Sequence, residues 1–309
     1  MGIDVPSMQL LCCAKSAGVD FDATCMIGRQ KISASGKNVR AIFGEIGIPE
    51  SELAQLCKGQ FAEPLFKLLG ASEVASVDAS DYEQATHIHD MNHGLPENLR
   101  ERYSVVHEGG TIEHVFNIPQ AFKNCMEMVR LGGHLIQVNV ANNYMGHGFW
   151  QFSPELIYRV FSPENGFQIK AALIHVPHRM EAVGGFGRWY AVQDPAVCRR
   201  RVELINATPT YICAIAQRIA RVDIFASPPQ QSDYVAAWLR STEPAKKALF
   251  PWRSSVPGAV KKAVRWAHAM ARGAKAPFDR PYYRALSDDD VVHARVTDAA
   301  RRVHLSLGG

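Results

Sequence analysis

The sequence has no hydrophobic run close to the roughly 20 residues that a membrane-spanning helix needs, which argues against an integral membrane protein. Its seven cysteines are irregularly spaced and include no CxxC pair, which excludes a zinc ribbon and argues against a disulfide scaffold. The odd number of cysteines suits a reducing cytosol. No Lys or Arg precedes Lys15, so the first residues lack the basic region of a secretory signal, and we expect a cytoplasmic location.

Several catalytic signatures are missing as well. The chain contains no G-x-S-x-G elbow and no Walker A loop, which argues against serine hydrolases and P-loop nucleotide hydrolases. It contains no HExxH pattern, and we predict no metal site. A nicotinamide oxidoreductase would need a G-x-G-x-x-G turn after the first strand, and this turn is absent too.

What the sequence does have is enough apolar material for a sizeable core, together with an uneven distribution of charge. It has 309 residues, 47% of them hydrophobic, and a formal net charge of +4. Residues 242–309 hold 13 basic and 6 acidic residues, so the first 241 residues are slightly acidic. We therefore predict an α/β domain over residues 1–240 and a basic, proline-punctuated extension over residues 241–309.

The extension is most basic between residues 246 and 284, where 10 basic residues and one acid are interleaved with aromatic residues. A helix around residues 260–271 could pack on the domain with its charges in water, lie on anionic lipid at the inner membrane face, or hold an acidic glycan. No base-reading motif is present, so we expect no specific nucleic acid. The sequence leaves the oligomeric state open.

Short β-rich runs alternate with helical patterns from residue 22 to about residue 226. This alternation predicts an α/β fold with a doubly wound, mostly parallel Rossmann-like sheet and helices on both faces. The predicted strands are 23–27, 74–77, 85–89, 103–107, 134–140, 168–174 and 211–219, the last two antiparallel at one edge.

Helix signals lie between these strands. A short amphipathic helix from about residue 7 to residue 17 precedes the sheet, and residues 36–58 form a helical insertion. Asn117 and the pair Gly132-Gly133 are predicted to cap the start and the end of the helix before the fifth strand, and Ser153 to begin the next helix.

Three consecutive predicted strands end in an acidic residue, namely Asp78, Asp90 and Glu108. In an open α/β sheet, ligands bind beyond the carboxyl ends of the strands. An acid after the second strand can accept hydrogen bonds from the paired hydroxyls of a ribose, and an acid after the third can meet the exocyclic amine of adenine. Each acid alone would be an ordinary turn residue, but the three together predict an adenosine pocket.

The same segments resemble those of class I S-adenosylmethionine-dependent methyltransferases. Residues 77–80 (VDAS) and 89–92 (HDMN) are similar to the ends of the second and third strands of that family, and residues 108–115 (EGGTIEHV) to the segment after its fourth strand. Residues 27–30 (IGRQ) and 142–149 (NNYMGHGF) also resemble a bacterial subgroup often found with polysaccharide genes.

The resemblance implies S-adenosylmethionine as the cofactor. The binding residues that it implies are Gly28, Arg29, Asp78, Ala79, Asp90, Met91, Glu108 and Gly109. Asp78 would hold the ribose, and Asp90, with the backbone of Met91, the adenine. Glu108 and Gly109 would line the methionine arm. Gly28 would let the backbone approach the cofactor, and Arg29 would pair with its carboxylate.

One part of the family pattern is missing. The family has a glycine-rich GxGxG turn after its first strand, whereas this chain has only Gly28-Arg29-Gln30. Gly28 and Asp78 are also 50 residues apart, so residues 36–58 must fold away from the site or over it.

Methyl transfer from a sulfonium is an in-line displacement, in which the protein positions the nucleophile and removes its proton. The candidate catalytic residues near the ends of the fourth and fifth strands are His147, His114 and Glu108. His147 lies in a glycine-flanked loop followed by aromatic residues, which could stack on a sugar face, close a lid or simply pack as a turn. A metal site formed by these residues and His107 has no supporting spacing.

The sequence therefore predicts S-adenosylmethionine-dependent methylation of a small molecule or saccharide, at oxygen. The alternative is a catalytically silent methyltransferase-like protein. It would bind a glycan, a protein partner or the membrane surface through its basic extension.

Overall fold

The computed structural model describes residues 2–44, 48–56, 61–178, 185–242, 278, 281–287 and 290–291. These residues form one sheet with helices packed on both of its faces, which confirms the predicted fold class. The strands are β1 Ala23–Ile27, β2 Glu73–Asp78, β3 His87–Ile88, β4 Tyr103–Glu108, β5 Val129–Asn142, β6 Phe167–Pro177, β7 Gly187–Val192, β8 Thr210–Arg218 and β9 Tyr283–Leu286.

The strand order is β3-β2-β1-β4-β5-β8-β6-β7-β9. The first five strands in this order pair in parallel, so their carboxyl ends lie at one edge of the sheet. β8 runs antiparallel to both β5 and β6, which confirms its predicted direction. It does not form an edge of the sheet as predicted, because β6, β7 and β9 continue the sheet beyond it. β7 and β9 extend the sheet with further antiparallel pairs. The order reverses between β1 and β4, which is where an open α/β sheet forms a ligand crevice.

The helices within the described residues are α1 Val5–Ser16, α2 Gly36–Gly44, α3 Glu50–Leu56, α4 Glu63–Leu68, α5 Ile118–Met128, α6 Pro154–Val160, α7 Pro195–Cys198 and α8 Ser232–Thr242. The insertion predicted at residues 36–58 is thus helical where it is described, as α2 and α3. In this part of the chain, no helix combines the length and the apolar character needed to cross a membrane.

Alternate side chains of the central strands enter two separate hydrophobic cores, as the two-residue period of a strand requires. Met26 and Val105 pack on one face with residues of α1 to α4. Cys25 and Val106 pack on the other face with residues of α5 and α6. Both faces are therefore covered, and the sheet edge at the carboxyl ends of β1 to β5 is left for the loops.

The first helix confirms one prediction and corrects another. Asp4 caps α1 by accepting a hydrogen bond from the amide of Ser7 at 3.0 Å, and the helix ends before Gly18, where φ is +83°. Most of its residues are buried, however, so it is not amphipathic. Just before it, the amide of Ile3 donates to the carbonyl of Lys31 at 2.7 Å, which ties the chain start to the segment after β1.

The predicted caps around α5 are wrong, although the helix itself is confirmed. Asn117 makes no capping hydrogen bond, since its side-chain amide donates to the carbonyl of Asn92 at 3.1 Å. Gly132 and Gly133 lie inside β5, where the pairing with β4 shifts register, and not at a helix end. A Cβ atom on Gly133 would stand 2.8 Å from the carbonyl oxygen of Ser104, so close strand packing requires this glycine.

Ser153 does cap α6 as predicted, by accepting a hydrogen bond from the amide of Leu156 at 3.2 Å. The C-terminal extension supplies β9, which pairs with β7. The helix predicted around residues 260–271, and nearly all of the basic segment 246–284, lie outside the described residues.

Candidate functional site

The carboxyl ends of β1, β2 and β4 stand side by side at the crevice. Ile27 is in register with Val77 on β2 and with Glu108 on β4. The predicted site residues Gly28, Asp78 and Glu108 are therefore brought to one place, as expected for neighbouring parallel strands.

Asp78 bridges the ends of β1 and β2. One carboxylate oxygen accepts from the amide of Ala79 at 2.8 Å, and the other lies 3.4 Å from the amide nitrogen of Arg29. The carboxylate is only partly buried and forms no ion pair with a side chain of the described residues. It retains acceptor capacity for hydroxyl groups from outside.

Asp90 follows the short strand β3 and is exposed. One of its oxygens accepts from the amide of Asn92 at 2.9 Å and from the side chain of Asn92 at 2.8 Å, and these two bonds lower the pKa of Asp90. The side chain of Met91 is buried in the core, so only its backbone is available to a ligand.

Gly28 adopts φ +71°, a left-handed conformation that favours glycine. A Cβ atom there would stand 2.8 Å from the hydroxyl oxygen of Thr111, which donates to the carbonyl of Ile27 at 2.7 Å. The turn and the close approach of Thr111 thus both require glycine. Gly28 therefore has a packing role in addition to the cofactor contact predicted for it.

We expect Gly28→Ala to lower the free energy of unfolding by about 1–3 kcal/mol, because it adds backbone strain and a clash with Thr111. Thermal and urea unfolding measure this effect. Gly94→Ala is the matched control, since a Cβ atom at Gly94 meets nothing within 4 Å. An equal effect of the two substitutions would contradict the requirement at Gly28.

Gln30 was not predicted as a site residue, although it stands in the IGRQ segment. Its buried side-chain amide donates to the carbonyl of Ile27 at 3.1 Å and lies against Gly109, where a Cβ atom would be 2.5 Å from its oxygen. The Oε1 atom of Gln30 has no hydrogen-bond partner. The crevice between β1 and β4 therefore contains a buried acceptor that lacks a donor.

The side chain of Arg29 does not lie free for a cofactor carboxylate, as the resemblance implied. Its Nε lies 2.7 Å from Oε1 of Glu63, its Nη1 donates to the carbonyl of Glu83 at 2.9 Å, and the guanidinium stacks 4.0 Å from the ring centre of Phe61. These contacts hold together the loops beside the site.

Glu108 has a structural role in place of the predicted catalytic or arm-lining one. It is fully buried, and Oε1 accepts hydrogen bonds from the amides of Thr111 and Ile112. Oε2 accepts from the side-chain amide of Asn139 on β5 at 2.6 Å. With these donors around it, the carboxylate fixes the turn after β4 and is not exposed to a substrate.

Glu113, a second buried carboxyl group that sequence reasoning missed, lies beside it. Its Oε2 accepts from the same amide nitrogen of Asn139 at 2.8 Å, and its Oε1 has no hydrogen-bond partner. Burial, reinforced by the charge of Glu108, raises the pKa of Glu113 to about 8. The carboxyl group is therefore mostly protonated at neutral pH.

The predicted residues His114 and His147 meet in space. Their ring centres are 4.8 Å apart, and Nε2 of His147 lies 3.7 Å from Oε1 of Glu113. Burial lowers the pKa of both imidazoles. Because the pKa of Glu113 is raised and that of His147 is lowered, both are uncharged at neutral pH, and their contact is not an ion pair.

Backbone hydrogen bonds tie the loop of His147 to the turn after β4. The carbonyl of Glu113 accepts from the amides of Phe149 at 2.8 Å and Trp150 at 3.2 Å. Gly148, at φ +68°, brings its Cα so close that a Cβ atom would stand 2.8 Å from that carbonyl oxygen. The two loops therefore form one fixed unit, and the glycine next to His147 makes their close approach possible.

Large apolar side chains surround this unit at the surface. Phe116 is 72% exposed and Phe149 66% exposed, and their rings pack edge to face at 5.8 Å. Met145 is also exposed. These side chains form an apolar rim beside His147.

Other polar candidates have structural roles. His107 is buried in the opposite core, where its ring packs 5.6 Å from that of Phe66, so it cannot join a metal site with His114 and His147. Asn142 and Asn143 donate to Asn206 at 2.7 and 2.9 Å and shape the turn after β5.

Neither a protein-family model nor a curated protein matches the chain. Solved structures similar to it include an S-adenosylmethionine-dependent methyltransferase from Thermotoga maritima, with 12% identity, 69% of this chain and 89% of that one covered, and a TM-score of 0.35. TehB from Haemophilus influenzae is 12% identical to this chain, and the match covers 67% of this chain and 61% of TehB, with a TM-score of 0.34. A branched-chain polyamine synthase mutein from Thermus thermophilus is 12% identical, and the match covers 74% of this chain and 60% of the synthase, with a TM-score of 0.33. The Rossmann-like assignment rests on the sheet order itself.

Proposed function

We propose that this protein binds S-adenosylmethionine and transfers a methyl group to an oxygen of a small molecule or saccharide. The observation that carries the proposal is the division of the crevice into two sides. Two acceptor carboxylates, Asp78 and Asp90, follow β2 and β3, and an uncharged imidazole, His147, follows β5. A nucleoside over β2 and β3 and a proton-bearing acceptor over β5 would thus lie on the two sides of the crevice between β1 and β4.

The residues fit the adenosine half of the cofactor at Asp78 and Asp90, which can accept from the ribose hydroxyls and the adenine amine. For the methionine end, the unpartnered Oε1 of Gln30 is a buried acceptor of the kind that an ammonium group satisfies. S-adenosylmethionine supplies a methyl group on a sulfonium sulfur. The protein's part is to hold both molecules in line and to deal with the acceptor's proton.

The acceptor side is supplied by His147 and the apolar rim. The imidazole of His147 is partly exposed, and its lowered pKa keeps the ring neutral at pH 7, so it can accept a hydroxyl proton. The exposed rings of Phe116 and Phe149 offer flat apolar surfaces for a sugar face. These features support an oxygen acceptor on a saccharide.

The second candidate is a catalytically silent protein of the same fold, and one observation favours it. The amide of Gln30 and the hydroxyl of Thr111 fill the space above Gly109 and Gly28, where the family's glycine-rich turn would leave room. In that case the function would rest on a glycan, a partner or an anionic surface bound by the basic extension.

Calorimetric titration with S-adenosylhomocysteine separates the two candidates, with NAD as the control ligand. We expect wild-type protein to bind S-adenosylhomocysteine alone, and Asp78→Asn to bind it about 10–100-fold more weakly, because a charged acceptor is lost. Asp223→Asn, an exposed carboxylate at the other end of the sheet, should bind like the wild type. No binding by folded wild-type protein would favour the silent protein. Unchanged binding by Asp78→Asn would remove the ribose assignment.

A further inference from the structure

Glu113, His114 and His147 bring three metal-ligating groups together at the ends of β4 and β5. One carboxylate oxygen and one nitrogen from each imidazole all lie within 4.8 Å of one another. Ligands of a transition metal at about 2.0–2.2 Å stand no more than about 4.4 Å apart across the ion. Small side-chain rotations would therefore bring the three atoms to ligand distance.

Two of these atoms lack any other partner. Oε1 of Glu113 and Nε2 of His147 are buried, face each other at 3.7 Å, and accept or donate no hydrogen bond. Buried polar atoms are nearly always satisfied in native proteins, so an unpartnered pair calls for a ligand that serves both. A cation between them would displace the proton of Glu113 into solvent and satisfy both atoms at once.

The surroundings of Glu113 hold it in the orientation that a metal ligand needs. Asn139 donates to its Oε2 at 2.8 Å, which leaves Oε1 on the side of the two imidazoles. The same nitrogen of Asn139 donates to Glu108 at 2.6 Å, so a second buried carboxylate fixes the orienting amide. Outer partners of this kind are typical of ligating carboxylates.

We propose that Glu113, His114 and His147 bind one first-row divalent cation, of the class of Mn²⁺, Fe²⁺, Co²⁺ or Zn²⁺. Two imidazoles and one carboxylate suit these ions better than Mg²⁺ or Ca²⁺, which prefer all-oxygen sites. The sequence expectation of no metal rested on the missing HExxH spacing, and this set instead joins two loops across the sheet edge.

The consequence for catalysis rests on the proposed function. An acceptor hydroxyl that binds the cation has a lowered pKa, so its proton can pass to water, and the oxygen is held as a nucleophile beside the cofactor side. His147 would then be a ligand of the cation and would no longer be the proton acceptor.

Binding of Co²⁺ to the full-length, untagged, chelator-treated chain tests the proposal, followed by visible absorption and by calorimetry. We expect one Co²⁺ per chain with a ligand-field spectrum, and displacement by Zn²⁺. His114→Ala and His147→Ala should each weaken binding at least ~10-fold. His114 is exposed, so its removal should leave the fold intact. His134→Ala, at the other end of β5, is the matched control and should bind like the wild type.

The proposal would be overturned if wild-type protein did not bind Co²⁺. It would also be overturned if His114→Ala and His147→Ala both bound Co²⁺ with the affinity of the wild type. Titration of the metal-free protein with S-adenosylhomocysteine keeps the two proposals apart. Co²⁺ binding without S-adenosylhomocysteine binding would refute the proposed function alone, and the reverse result would refute the cation site alone.

Discussion

His147→Ala should lower the rate of methyl transfer about 10²–10⁴-fold and leave the affinity for S-adenosylhomocysteine unchanged. The reason is its position after β5, on the acceptor side of the crevice and away from Asp78 and Asp90. Loss of a group that activates the acceptor hydroxyl costs a factor of this size. The measurement is incorporation of label from methyl-labelled S-adenosylmethionine into a panel of sugars, alongside calorimetry.

His134→Ala is the control for this experiment, because it removes an imidazole from β5, the strand that leads into the loop of His147, on the side away from that loop. It should leave both the rate and the affinity as in the wild type. A His147→Ala protein that retains the full rate would show that His147 neither activates the acceptor nor holds a cation that does. If the rate falls as expected, adding Co²⁺ or a chelator to the wild type distinguishes these two roles, since only the second depends on a metal.

Two imidazoles that are buried in an uncharged state should each lower the free energy of unfolding as the pH falls, and removing them should remove that contribution. Burial lowers the pKa of His107 to about 4 and that of His175 to about 3, against an ordinary value near 6.5. Below pH 6.5 these two residues therefore bind more protons in the unfolded chain than in the folded one, so their contribution to the free energy of unfolding falls as the pH falls. The raised pKa of Glu113 and of Asp4 contributes in the opposite direction. The loss from the two histidines is about 2.7 kcal/mol per pH unit between pH 6.5 and pH 4.

By pH 4.5 this loss amounts to roughly 5 kcal/mol, which is comparable to the whole stability of many domains. Urea unfolding between pH 7 and pH 4.5 measures it. Relative to the wild type, the double variant His107→Leu/His175→Leu should lose about 2.7 kcal/mol less per pH unit over this range, whatever its stability at pH 7. His93→Leu is the control, because His93 is 78% exposed and its imidazole meets water in both states. An unchanged slope in the double variant would contradict the expectation.

Local patterns were sufficient to predict most of the regular structure. The strand predicted at residues 23–27 has these bounds in the structure, as β1. The predicted acids Asp78 and Glu108 lie at the ends of β2 and β4, beside the end of β1. β7 was missed because it begins in a glycine-rich stretch, and glycines normally mark turns. β9 was missed because it lies in the proline-punctuated extension, where no strand pattern stands out.

The site was only partly predictable, because contacts between side chains of different loops leave no local pattern in the sequence. Asp78 and Asp90 follow their strands directly, so counting along the chain finds them. Gln30 and Glu113 do not, because their roles depend on side chains that other loops bring near them. The sequence contained both residues inside segments that were singled out, but nothing local marks a buried amide or carboxyl group as unpartnered.

Most of the helices and strands follow from the order of the amino acids, because the two-residue period of a strand and the apolar stripe of a helix are local properties. The sequence also places acids after β2, β3 and β4. The contact of Glu113 and His114 with His147, some 33 residues further along the chain, arises only in the folded protein. That contact depends on the parallel register of β4 with β5, in which Glu108 lies opposite Gln137, and on the glycine that lets the two loops touch. Sequence separation carries no information about such a contact until the sheet has formed.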